Sequence, residues 1–563
     1  MSEKYVNVII DNITYSAHVG STILDVCKEH NIEIPTLCYL KDVCKPASCR
    51  VCMVEWVNNR NRLVTSCSTE VVDGMEICTN SDRVLKSRKT NLELLLSNHK
   101  YDCENCFKSG HCQLQKYSEE YGCDSTKYEG ENTEYAIDDS NPCISRDDSK
   151  CILCGKCVAV CDKIQNINAI SKVRRGFKTA IGTAFDRPMG ESPCIGCGQC
   201  TLVCPVGALT ENLHITKAQE YLLKDNIKTI ALVAPSVRVS LAEEFGLPIG
   251  TNCEEQMVQA LHLLGFDKVY DVNMGADFTI VEEAQEFIDR LNNGGKLPMF
   301  TSCCPAWVNL VETEYPEFVD NLSTCRSPNE MMGSILRHID KDENLRIISI
   351  MPCTGKKSEI IRFGNIDLSL TTRELAYLIR KNHITFERLN GENFDNPFAE
   401  YTGAGIIFGA TGGVMEAALR TVYHKLTGSV PPPLAFEAVR GVEGVKEASI
   451  TINGTTVNVC VVSTLSKAKE ILALVKAGKK NYHFVEVMAC PGGCVNGGGQ
   501  IAADYNTYSK QHVASTRGNA LYQVDSKKVI KMSHLNPSVL NVYEKILTDD
   551  LPHKLLHVHR DNK

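Results

Sequence analysis

The chain has 563 residues, 28 of them cysteine, and its 60 Lys and Arg against 68 Asp and Glu give a formal net charge of −8. That balance is too mild to point to nucleic acid or an anionic membrane as partner, no apolar run approaches the ~18 residues of a membrane span, and the opening MSEKYVNVIIDNITYSAHVG carries no export signal. Disulfide-stapled secreted domains are usually short and exported, so the cysteines are expected to be metal ligands in a reduced, cytoplasmic protein of several domains.

In chain order, Tyr5–Ile10 and Ile13–Ala17, joined by Asp-Asn, read as a β-hairpin. Ser21–His30 follows as a short capped helix. Cys38, Cys49, Cys52 and Cys67 then suit a 2Fe–2S cluster in a plant-ferredoxin-like fold, although their first gap is longer than in that spacing, and zinc is the structural alternative. His99-x3-Cys103-x2-Cys106-x5-Cys112 offers one imidazole and three thiolates, a set that by ligand count suits zinc as well as a 4Fe–4S cluster. The polar, acidic stretch 122–142 reads as a linker.

The strongest accessory pattern is Cys151-x2-Cys154-x2-Cys157-x3-Cys161 with Cys194-x2-Cys197-x2-Cys200-x3-Cys204-Pro205, the bacterial ferredoxin run written twice. In such runs the fourth cysteine ligates the other cluster. The expected sets are Cys151, Cys154, Cys157 and Cys204 for one 4Fe–4S cluster, and Cys194, Cys197, Cys200 and Cys161 for the second. Residues 1–212 hold 20 of the 28 cysteines. They resemble the electron-input subunit of respiratory complex I, which implies electron transfer but names no reaction.

Beyond residue 212 apolar strands alternate with amphipathic helices, as in an α/β domain. Five apolar runs end in unusual chemistry: Ile230–Ser236, Pro298–Trp307, Ile347–Cys353, Gly405–Gly413 and Phe484–Met488. Ligands in α/β sheets bind beyond the carboxyl ends of strands, so one shared site is expected there. It needs four thiolates for a cubane, and the loops offer five: Cys303, Cys304, Cys353, Cys490 and Cys494.

The motifs TSCCPAW, MPCTGKKSE and EVMACPGGCVNGGGQ resemble the three signatures of the iron-only, or [FeFe], hydrogenases, and with the accessory modules the likeness extends to the monomeric clostridial type. The fold it implies is multidomain α/β and α+β. A plant-ferredoxin-like 2Fe–2S domain is expected at 1–82, a small His/Cys3 cluster domain at 83–125 and a bacterial-ferredoxin-like domain with two 4Fe–4S clusters at 126–212. A large two-lobed α/β catalytic domain would fill 213–563.

By the same resemblance Cys304, Cys353, Cys490 and Cys494 hold the 4Fe–4S part of the H-cluster. Cys494 bridges to a diiron unit carrying CO, cyanide and a bridging azadithiolate. Cys303 is left as the proton relay, supported by the ability of a free thiol to exchange protons. Glu283, Glu286 and Arg290 share one face of a helix over 281–291. Alone they read as solvated ion pairs, but the resemblance makes them, with Ser323, a proton route inward from Arg290 and Glu286 through Ser323 and Glu283 to Cys303. Pro235, Ser236 and Lys356 are expected to enclose or hydrogen-bond the cyanides, and Met351, Phe408 and Met488 to wall the CO ligands. Asn329 and Ile501 depart from the family pattern, where Gln and Pro are common.

The function so implied is reversible hydrogen formation, 2 H+ + 2 e− = H2. Ferredoxin or flavodoxin would be the carrier, one 2Fe–2S and three accessory 4Fe–4S clusters the wire, other proteins the installers of the diiron unit, and the chain a monomer. The glycine clusters at 411–413 and 497–499 lack nicotinamide-binding spacing. A non-catalytic electron-transfer subunit would lack the three motifs, and an iron–sulfur assembly protein of the same fold would lose the diiron-binding features. The remaining cysteines (27, 44, 78, 123, 143, 253, 325 and 460) are expected to be structural.

Overall fold

The computed structural model describes residues 5–431, 437–505 and 508–558. The N-terminal hairpin forms as β1 (Tyr5–Ile10) and β2 (Ile13–His18), turning through Asp11 and Asn12, both at positive φ, the conformation that matches the right-handed twist of a hairpin. The following helix, Ile23–Glu29, begins with a Thr22/Asp25 capping box that satisfies its first free N–H groups. With β3 (Met53–Trp56), β4 (Arg62–Thr65) and β5 (Met75–Cys78) these strands make one sheet in the order β2-β1-β5-β3-β4. Its apolar face buries Val8, Ile10, Val54 and Ile77 against the capped helix.

Two small antiparallel ribbons follow. One pairs β6 (Ile144–Arg146) with β9 (Leu209–Glu211), and the other pairs β7 (Ser171–Val173) with β8 (Ala180–Gly182). The stretch 122–142 is mostly irregular, as its composition predicts, yet it is tied down by Thr133 hydrogen-bonding Asn98.

The second half holds two four-stranded sheets. The first orders β10 (Lys228–Val233), β11 (Lys268–Asp271), β13 (Leu345–Met351) and β14 (Leu368–Thr371) as 11-10-13-14, all parallel. Ile230, Ala231, Leu232 and Val233 are all buried in succession, as expected of a parallel strand covered on both faces. The second orders β12 (Met299–Phe300), β15 (Val445–Ile452), β16 (Thr455–Ser463) and β17 (Phe484–Met488) as 12-17-16-15, with only β15 antiparallel. Along β17, Phe484 and Met488 enter one core while Val485 and Val487 enter another, the two-residue alternation of a strand between layers. These sheets centre the two lobes, with the long helix Val272–Asn292 beside them.

One expected strand does not form. Gly405–Gly409 is a helical turn, Gly403–Ile406, running into a 3₁₀ turn. Thr402 caps it by accepting from the Gly405 N–H at 3.3 Å, and the backbone lies so close to the long helix that a Cβ on Gly405 would come within 2.6 Å of the Asn273 carbonyl. A helix packed this tightly satisfies its own backbone groups, so no sheet edge is needed. Four strand ends, from β10, β12, β13 and β17, therefore meet at the site rather than five.

Candidate active site with its electron and proton routes

None of the 28 cysteines forms a disulfide. Cys38, Cys49, Cys52 and Cys67 are buried together, Cys38 against Cys49 and Cys52 against Cys67. Cys103, Cys106 and Cys112 gather at the next module; His99, beside Lys150 and Asp147, has its Nδ1 buried without a hydrogen-bond partner. A buried polar atom left unpaired costs free energy, so an imidazole lone pair in this position fits a metal ligand. The crossed ferredoxin pairing appears in the cavities: one is lined by Cys151, Cys154, Cys157 and Cys204, the other by Cys161, Cys194, Cys197 and Cys200. Each is otherwise mainly apolar, suiting a cluster held by thiolates and shielded from water.

The thiols also fall in a spatial sequence. Burial pushes Cys154 up to about 12, with Cys204 and, more weakly, Cys38 of the first module acting in the same direction. From the second module, Cys112 is near enough to Cys204 for their charges to interact, and a Cβ on Gly207 would meet Cys106 Sγ at 2.6 Å. Both outer modules thus converge on the Cys151/Cys154/Cys157/Cys204 cavity. The other ferredoxin cavity abuts the catalytic loops: Thr354 donates to the Gly196 carbonyl at 2.7 Å, and Gln199 to the Asn496 carbonyl at 3.0 Å. Gly498 has to be glycine here, because a Cβ would come within 2.2 Å of the Cys197 carbonyl. The glycine-rich ending thus packs directly against this ferredoxin cavity.

Cys304, Cys353, Cys490 and Cys494 come together from three separate loops, mutually close enough to raise one another's pKa beyond the effect of burial. Cys303 joins this group but packs its side chain toward the second-lobe core. Burial first, then Glu283 and Cys304, push its thiol well above the ordinary value, against the opposing charge of Lys356. Its resting form is the thiol, which titrates further from neutrality than the sequence suggests. Lys356 Nζ reaches the Cys303 carbonyl at 3.3 Å and is held by Glu359 at 2.7 and 2.9 Å.

Pro235 and Ser236 follow β10 in a fully buried turn, fixed because Arg238 is clamped by Asp271 at 2.9 and 3.0 Å. Ser236 Oγ is buried and unpartnered. Met351 belongs to the first-lobe core, and Phe408 and Met488 to the second.

The acidic residues form a chain. Arg290 donates to Glu286 Oε1 at 2.6 and 3.1 Å, and Ser323 Oγ donates to Glu286 Oε2 at 2.8 Å. Ser323 also hydrogen-bonds Glu283, whose carboxyl burial, then repulsion from Glu286, raises to about 8. A carboxyl protonated at neutral pH can donate to Ser323, which passes its own proton to Glu286. The second oxygen of Glu283 has no hydrogen-bond partner, and Cys303 lies close enough to feel its charge. Four of the five residues expected on the route are thus joined by hydrogen bonds, and the fifth, Cys303, lies within electrostatic reach of Glu283.

Comparison with known proteins identifies the family. Residues 227–498 match the model of the C-terminal domain of the iron-only hydrogenase large subunit, and 511–560 that of the iron hydrogenase small subunit. The N-terminal modules match a 2Fe–2S binding domain (3–82), an NADH-ubiquinone oxidoreductase iron–sulfur region (88–127) and a 4Fe–4S dicluster domain (150–208). An NADP-reducing hydrogenase subunit of Solidesulfovibrio fructosivorans is 42% identical over 98% of each chain. Iron hydrogenase 1 of Clostridium pasteurianum is 37% identical over 98% of this chain and 99% of that one. The chain belongs to the [FeFe]-hydrogenase family. A solved [FeFe]-hydrogenase of Chlamydomonas reinhardtii is 35% identical with a TM-score of 0.55, covering 62% of this chain and 98% of its own.

A hydrogenase of this family carries iron–sulfur clusters and an H-cluster. The clustered thiols, the unpaired Ser236 hydroxyl and the backbone-tight glycines fit such groups. Other residues position the site without being singled out by the sequence. Gln500 closes the third motif by donating to the Ser236 carbonyl at 2.8 Å and accepting from Thr372 at 2.7 Å, which ties the two lobes' loops together. Arg373 donates to the Gln500 and Gly498 carbonyls at 2.7 and 2.8 Å while paired with Glu211 of the ferredoxin region. Glu486 accepts from the Gly412 and Met415 N–H groups at 2.6 and 2.7 Å and so anchors the helix Gly413–Thr427. Asn329 is buried with both amide atoms unpaired, and Ile501 packs into the first-lobe core. A polar side chain directly after three glycines is the signal that could have marked Gln500; Arg373 left none, because its partners, two carbonyls and the Glu211 carboxylate, come from distant segments.

Proposed function

We propose that this hydrogenase interconverts protons and H2, 2 H+ + 2 e− = H2, with electrons exchanged with ferredoxin or flavodoxin through one 2Fe–2S and three accessory 4Fe–4S clusters. The observation that carries this reading is the meeting of two routes at one group of five thiols: a line of cluster sites from one side, and the Arg290–Glu286–Ser323–Glu283–Cys303 chain from the other. In this reading Cys304, Cys353, Cys490 and Cys494 hold the H-cluster. When bound, that group supplies the redox centre at which hydrogen is made or consumed; its diiron unit, with CO, cyanide and azadithiolate, is installed by maturation proteins.

The chain's own residues then divide the work. Ser236 and Lys356 offer donors to the cyanides, and Pro235, Met351, Phe408 and Met488 exclude water. Lys356 is a charged donor, and such bonds strengthen in a dry pocket. Cys303 takes the last proton-transfer position, supplied by Glu283 through a carboxyl held neutral by burial. The modules divide at 1–82, 83–125, 126–212 and 213–563, in a cytoplasmic monomer.

A relative 42% identical is named an NADP-reducing hydrogenase subunit, which favours a second source of electrons: a nicotinamide-binding partner protein docking on the same wire. The two are separated by asking whether the matured chain alone exchanges electrons with reduced ferredoxin. The central test is infrared spectroscopy after maturation. Bands from iron-bound CO and cyanide are expected, and their absence from a protein with full iron–sulfur content would sink the proposal.

A further inference from the structure

The cavity on which the outer modules converge is roofed by a cationic, aromatic surface. The β7–β8 ribbon covers the Cys151/Cys154/Cys157/Cys204 cavity: Ile181 lines it, and a Cβ on Gly155 would lie 3.8 Å from Lys172 Cε. Outward from this roof, residues 171–187 present Lys172, Arg174, Arg175, Lys178 and Arg187, all exposed, against Asp186 alone. That concentration of positive charge sits on a chain whose formal net charge is −8.

Two aromatic rings stand among these cations. Phe177 at the ribbon tip is 52% exposed and Phe185 is 91% exposed. Phe185 holds a φ of 59°, a left-handed backbone that costs a non-glycine residue free energy. The Arg174–Asp186 pair at 3.2 Å fastens the ribbon to the Phe185 turn, Arg187 leans over the Phe185 ring at 5.9 Å, and Arg174 over Tyr135 at 5.5 Å. The patch is therefore continuous. Arginine and aromatic residues are the types enriched at protein interfaces, and a compact cationic field speeds encounter with an acidic partner.

We propose that the face formed by residues 171–187 is the docking surface for a small acidic one-electron carrier of the ferredoxin class, delivering electrons directly to the cluster site beneath it. This rests on the reading of the chain as a carrier-linked hydrogenase. It places electron entry at the convergence point of the wire, so neither outer module need be crossed. Weak redox encounters use small interfaces, which suits a patch of this size.

The test uses the full matured chain, a two-cluster bacterial ferredoxin of net negative charge as probe, and methyl viologen as a small carrier needing no docking surface. The R175E/K178E variant changes two exposed side chains outside every cluster site. It is expected to raise the ferredoxin KM about tenfold at low salt, the lower end of what steering supplies, and to flatten the salt dependence, while viologen-driven evolution and iron content stay at wild-type values. F185S is expected to give a smaller rise that persists at high salt, because apolar contact is not screened. Wild-type KM and salt slope in R175E/K178E overturn the proposal, as does viologen turnover with no ferredoxin turnover in the unaltered chain. A substitution that instead dissolves a dimer seen by sedimentation assigns the face to self-association. Direct titration of ferredoxin against the cluster-loaded chain separates the premises: binding weakened by R175E/K178E supports the surface even if the infrared bands are missing, in which case the hydrogenase reading is what fails.

Discussion

The proposed electron and proton routes approach the same thiols through materials of opposite kind. At the centre of the electron side are two mainly apolar cavities, each lined by four cysteines. The proton side is hydrogen-bonded from Arg290 to Glu283, on one helix face and one loop: Arg290 to Glu286, Glu286 to Ser323, Ser323 to Glu283. Electrons need metal centres held at fixed separations and kept dry, whereas a proton needs donors and acceptors in contact along its whole path. A single substitution should therefore break the proton route, while the electron route, with two modules converging on one cavity, should tolerate loss at its edge.

The sharpest way to break this contrast is Cys303→Ser. In the proposed route Cys303 links Glu283 to the other four thiols, so turnover in both directions is expected to fall about 10^3-fold, within the range for loss of a positioned proton-transfer group. Viologen-linked evolution and uptake measure the rate, and infrared bands together with iron content establish that the clusters remain. A variant with full clusters and full activity would remove Cys303 from the route.

Glu283→Gln follows, with an expected loss of about 10^2-fold, because the amide keeps the hydrogen bond to Ser323 but cannot relay a proton. The pH profile adds a signature. The Glu283 pKa of about 8 lies above the ordinary carboxylate value near ~4.3, so the group is protonated at neutral pH and loses its proton as pH rises through about 8. Hydrogen evolution, which needs inward delivery, should decline above that point in the unaltered enzyme. The residual activity of Glu283→Gln should show no such step. A shared alkaline step would assign it elsewhere.

The same contrast accounts for what could be read in advance. The accessory sites were legible because their ligands are neighbours in sequence: Cys151, Cys154 and Cys157 lie within one turn-rich loop, and the crossed partner Cys204 follows from the repeat. The catalytic thiols were legible by resemblance and by strand-end logic, with one error. Gly405–Gly409 has the apolar look of a strand, but its glycines let it press against the long helix as a helical turn. Short apolar runs do not distinguish the two. The proton route shows the limit most clearly. Periodicity alone puts Glu283, Glu286 and Arg290 on one face, yet only burial decides that Glu283 is a neutral carboxyl rather than a solvated charge. Arg373 and Gln500 work through distant carbonyls, and such contacts leave no local pattern.

On the electron side the largest expected effect is at the convergence point. Cys157→Ala removes a ligand from the cavity that both outer modules adjoin, and ferredoxin-driven evolution should fall about tenfold or more, equivalent to at least ~1.4 kcal/mol of effective barrier. Electron paramagnetic resonance should show loss of one 4Fe–4S signal, with the infrared bands unchanged. Ferredoxin-driven rates equal to the unaltered enzyme would mean that electrons reach the inner cavity by another path.

The smallest effect is expected at the outer edge. Cys67→Ser removes a ligand of the first module, whose thiols adjoin the convergence cavity through Cys38 and Cys154. The second module adjoins that cavity independently, through Cys112 and Gly207 beside Cys106. With one branch lost and the other intact, ferredoxin-driven evolution should change by less than about twofold, under ~0.5 kcal/mol of barrier, while the 2Fe–2S resonance disappears. Because Cys67 lies in the core beneath the five-stranded sheet, iron content at the other sites must be checked alongside. A large loss with those sites intact would make the first module an obligatory entry, turning a branched wire into a single file.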